Sequence, residues 1–72
     1  MIKDGTAIDL RYVTSDGKGC NNYKNLTPAE IDLNNHFLDY THNAGFTGSI
    51  SGGRVNTTRY RADHSDHLHI NR

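Results

Sequence analysis

Leu26-Thr27-Pro28-Ala29-Glu30-Ile31 is the stretch on which the fold turns. Thr27 reads as an N-cap, Pro28 takes the first helical position, and Glu30, three residues after the cap, closes a capping box. Leu26 before the cap and Ile31 at the fourth helical position form a hydrophobic staple. From this start Leu33, Phe37, Tyr40 and Ala44 recur at spacings of four, three and four, an apolar stripe of helical period, and Gly45 followed by Phe46 supplies the stop. The spacing predicts one helix over about Pro28 to Ala44.

Outward from the helix the period changes to two. Ile8, Leu10 and Tyr12 alternate with Ala7, Asp9 and Arg11, which predicts a strand over Ala7 to Val13 with Asp9 turned away from the apolar face. Thr14 to Asn25 is turn chemistry. Its Asp16-Gly17-Lys18-Gly19 run lacks the further carboxylates of a calcium loop and the Gly-Lys-Ser/Thr of a phosphate loop, so it reads as an ordinary loop. Downstream, Gly48 to Ser51 predicts a short strand ended by Gly52 and Gly53, and Val55 to Arg61 a weakly alternating, exposed or edge strand. In the last element Leu68 and Ile70 alternate with His67 and His69. If they share an apolar side with Ile8 and Leu10, both histidines emerge on the face of Asp9. The expected fold class is α+β, a single small domain over residues 1–72 with a mostly antiparallel sheet and one packed helix.

Eight Lys and Arg against eight Asp and Glu leave a formal charge of zero, which disfavours electrostatic capture of nucleic acid or of an anionic membrane. With 33% hydrophobic residues and no Trp, the chain buries little against an ordering cost of about 1.5 kcal/mol per residue. The lone Cys20 excludes an intrachain disulfide, so a metal or a partner is the expected support. No apolar run approaches the roughly 20 residues of a membrane helix, and Met1 to Asp9 lacks the pattern of a signal peptide. The excess is in histidine: three of the five, His64, His67 and His69, fall within six positions. His36 and His42, on the helix without a same-face partner, read as surface or half-buried residues. An Asp on one strand and a His-x-His on another offer oxygen and nitrogen donors of the kind that bind zinc with an open position. Taken one at a time, each is a solvated strand residue. Together they favour a metal.

The block Gly5-Thr6-Ala7-Ile8-Asp9-Leu10-Arg11-Tyr12, followed by His64-Ser65-Asp66-His67-Leu68-His69-Ile70, resembles the zinc peptidases grouped around lysostaphin, D-Ala-D-Ala peptidases and hedgehog, nearest to the penicillin-insensitive murein endopeptidases. The resemblance implies that Asp9 and His69 are zinc ligands, that His67 stands beside the metal as base or transition-state stabiliser, and that His64 is a second active-site histidine. Asp66 lies where the D-Ala-D-Ala branch has an acidic base. The family's first zinc histidine falls on Ile2, and much of its N-terminal half has no counterpart, so the chain is expected to be the C-terminal part or a reduced form of a truncated hedgehog/D-Ala-D-Ala peptidase-like core. With a ligand missing, His67 or His64 could instead complete Asp9 and His69 and close the site.

The implied function is a zinc-dependent peptidase-like domain acting on peptidoglycan stem peptides, and the alternative is a non-catalytic zinc-stabilised binding or structural module. Tyr60 or Arg61 could contact a substrate carboxylate. The expected location is extracellular or periplasmic. A protein partner or self-association would complete a partial fold.

Overall fold

The capping signals act where they stand. In the computed structural model, which describes residues 7–72, helix α1 spans Pro28–Asn43. Thr27 Oγ1 accepts from the Glu30 N–H at 3.2 Å, and Glu30 Oε1 accepts from the Thr27 N–H at 3.0 Å. The second Glu30 oxygen takes the Ser15 N–H at 3.1 Å, which ties the preceding loop to the helix start. At the other end Ala44 is the cap. The Phe46 N–H reaches the Thr41 carbonyl at 2.9 Å and the Gly45 N–H reaches His42 at 3.0 Å, a Schellman closure that needs the positive φ of 108° at Gly45.

The buried face of α1 differs from the expected stripe. Asn34, Leu38 and Thr41 point inward, whereas Leu33 and Tyr40 are exposed, Tyr40 by 74%. The inward line is displaced by one residue, a rotation of about 100°. The cause is Asn34, fully buried: its Oδ1 accepts from the Val13 N–H at 2.9 Å, while its Nδ2 donates to the Val13 carbonyl at 2.9 Å and to Glu30 at 2.7 Å. This amide takes the place of a strand neighbour for Val13, and a buried amide must be so matched.

Four strands form one sheet: β1 (Ala7–Leu10), β2 (Gly48–Ser51), β3 (Arg59–Tyr60) and β4 (Leu68–Asn71), in the order β1-β4-β2-β3. β4 runs antiparallel to β1 and β2, and β3 runs parallel to β2, so the fold is α+β with a mostly antiparallel sheet. β1 stops at Leu10, short of the expected Val13, because Tyr12 leaves the ladder to exchange backbone hydrogen bonds with Cys20 at 3.0 and 2.9 Å. β3 is two residues long. Upstream of it hydroxyls stand in for the ladder: Thr58 Oγ1 accepts from the Ser49 N–H at 2.9 Å, and Ser49 Oγ accepts from the Thr58 N–H at 3.0 Å. Val55, expected on an exposed or edge strand, is fully buried with Tyr12, Leu26, Leu38, Leu68 and Ile70. Among the described residues no helix is long and apolar enough to cross a membrane.

Candidate functional site

β1 and β4 come from opposite ends of the chain, and their register pairs Ile8 with Ile70, Asp9 with His69 and Leu10 with Leu68. Burial of Leu68 and Ile70 on one face sends His69 to the other, directly opposite Asp9. His69 Nδ1 lies 2.9 Å from Asp9 Oδ1. The carboxylate is mostly exposed and the imidazole mostly covered, at 66% and 23% of side-chain surface.

His64 and His67 come to the same place by a different route. Ala62–His64 is one turn of 3-10 helix, and Ser65 continues it in helical conformation. The chain here reads Asp63-His64-Ser65-Asp66-His67, an Asp-His doublet repeated at spacing three. The His64 and His67 rings lie against each other with centroids 4.4 Å apart and planes tilted by 38°, and the His69 ring meets His64 edge-on at 6.1 Å. In each doublet the carboxylate takes the neighbouring Nδ1: Asp63 Oδ1 to His64 at 2.8 Å and Asp66 Oδ1 to His67 at 2.7 Å. These bonds hold the Asp63 and Asp66 carboxyls below the usual aspartate range.

The turn is anchored from beneath by the fully buried Tyr12. Its hydroxyl donates to the His64 carbonyl at 2.7 Å and accepts from the Gly52 N–H at 3.0 Å, and burial pushes the phenol pKa up. The Tyr23 N–H holds the Ser65 carbonyl at 3.0 Å. Asp63, Asp66 and Tyr12 hold the clustered histidines in roles that the sequence alone does not single out. The signal for the first two is the doublet at spacing three. Nothing local marks Tyr12, whose partners are 40 and 52 positions away.

The donors suit zinc in kind: one carboxylate oxygen and imidazole nitrogens. A tetrahedral zinc ion with bonds near 2.0 to 2.1 Å holds two donors about 3.3 Å apart. The 2.9 Å pair of Asp9 and His69 therefore needs to open by only a few tenths of an ångström. Among the described residues no group of three His, Cys, Asp or Glu is arranged around a metal position. Ile2, where the first ligand was expected, lies outside the described residues. Tyr60 and Arg61 are exposed; the Tyr60 hydroxyl donates to the Val55 carbonyl at 2.9 Å, and Arg61 pairs with Asp63 at 3.3 Å. His36 and His42 stand on the exposed surface of α1, apart from this cluster. A cavity lined by Leu38, Asp39, His42, Phe46, Asn56 and Thr58 includes none of the clustered imidazoles. No protein-family model, curated protein or solved structure matches the chain.

Proposed function

We propose that the chain is a zinc-dependent peptidase-like domain acting on peptidoglycan stem peptides, with Asp9 and His69 as metal ligands and His67 and His64 as the working imidazoles. The observation that carries the reading is the cross-strand Asp9–His69 pair, with the His64 ring edge-on to His69 and the His67 ring against His64. Zinc held there would supply a Lewis acid for a peptide carbonyl and a water made acidic enough to attack at neutral pH. His67 takes the proton from the attacking water and returns it to the leaving amine. His64, against the His67 ring and fixed through its carbonyl by Tyr12, is the second active-site histidine. Peptidoglycan lies outside the cytoplasm, so the reading carries an extracellular or periplasmic location with it.

A second reading is favoured by the lack of a third arranged donor among the described residues: His64 or His67 completes the coordination, and the domain binds without cutting. Zinc titration followed by incubation with stem peptides separates the two. Zinc-dependent cleavage lost in His67→Ala, with zinc still bound, supports the peptidase. Stoichiometric zinc without cleavage supports the binding module, and absence of zinc binding overturns both.

A further inference from the structure

The repeated doublet does more than set two rings against each other. In a neutral imidazole one nitrogen carries the proton and the other accepts, and the hydrogen bond made by one nitrogen decides which. Asp63 and Asp66 each bring a carboxylate oxygen to Nδ1 of the following histidine, at 2.8 and 2.7 Å. An ionised carboxylate can only accept, so Nδ1 is the donor and Nε2 is left with its lone pair. Both aspartates are otherwise largely solvent-exposed, 64% and 68% of their side chains, and neither is needed by the core.

We propose that Asp63 and Asp66 are positioning residues that set His64 and His67 in the Nδ1–H form, so that Nε2 is the nitrogen each offers to a proton or a metal. Each Asp-His doublet delivers one imidazole with its orienting carboxylate, so the two come in matched pairs. His69 is held differently, through a carboxylate on another strand. The inference rests on the reading that these imidazoles are the working groups, but the pairing itself is measurable without metal.

The test is nitrogen-15 NMR of histidine-labelled protein, free of metal, at about pH 9, above the range in which imidazoles protonate. Expected are Nδ1–H tautomers for His64 and His67 in the parent. Asp66→Ala should move His67 toward the Nε2–H form common in free imidazole and leave His64 unchanged, and Asp63→Ala should do the converse. Each variant is the other's control for folding. A parent His67 in the Nε2–H form, or a tautomer indifferent to loss of its aspartate, overturns the proposal. In a zinc titration Asp66→Ala should weaken binding by roughly ten- to a hundredfold if His67 joins the metal. Tautomers that respond in a protein with no affinity for zinc leave the positioning role intact and count against the metal reading alone.

Discussion

Tyr12 shows how one residue can hold the site without belonging to it. Its hydroxyl satisfies a backbone donor of Gly52 and a backbone acceptor of His64 from a fully buried position. Tyr12→Phe keeps the ring and strands both groups. The expected cost is about 1 to 3 kcal/mol, because buried polar groups without partners carry their full desolvation penalty. A urea midpoint that falls with an unchanged slope, together with shifted His64 ring resonances, checks this. An unchanged midpoint would mean that water replaces the hydroxyl. Among the clustered residues, the facing of Asp9 and His69 is legible from sequence because a period of two on two strands is a local property of each. Asp63 and Asp66 are not, because their pairing with the following imidazoles is set in a short turn that no hydrophobic period marks.

At the scale of the element, α1 starts on interactions confined to four residues, which is why its cap can be read from Thr27-Pro28-Ala29-Glu30 alone. Thr27→Ala removes the acceptor for the Glu30 N–H and should destabilise by about 1 kcal/mol, seen as a lower denaturant midpoint. Glu30 adds a pH dependence. The N–H groups of Thr27 and Ser15 hold its carboxyl below the ordinary 4.5, so its stabilisation is fully present above that value and is lost as pH falls toward the depressed folded value. Stability should therefore fall as pH drops through 4.5 and below, and Glu30→Gln should flatten part of that fall. Equal acid profiles for parent and variant would contradict the box.

The rotation of the same helix could not be read from its own residues. The stripe Leu33, Phe37, Tyr40 is as periodic as the inward line, and the choice between them is made by Asn34 meeting Val13, 21 positions away. β3 is shorter than the expected Val55 to Arg61 for a related reason: the Ser49 and Thr58 hydroxyls satisfy backbone groups that a regular strand would have paired.

The whole molecule has six buried hydrophobic residues among those described and one free cysteine, little for a chain of this length to stand on. A ligand that binds only the folded state stabilises by about 2.7 kcal/mol at a hundredfold excess over its Kd. Zinc should therefore raise the melting temperature of metal-free protein, and a chelator should return it. Ile2→His, which places the imidazole expected by family spacing, should tighten zinc binding. Equal affinity would mean that this end does not serve the site.

Calorimetric titration of zinc into the metal-free parent, Asp9→Ala and His69→Ala proteins bears most directly on the site. One zinc per parent chain, with binding lost or weakened at least tenfold in both variants, is the expected result. A parent that binds no zinc, or variants that bind it as tightly as the parent, would contradict a metal centre at the Asp9–His69 pair.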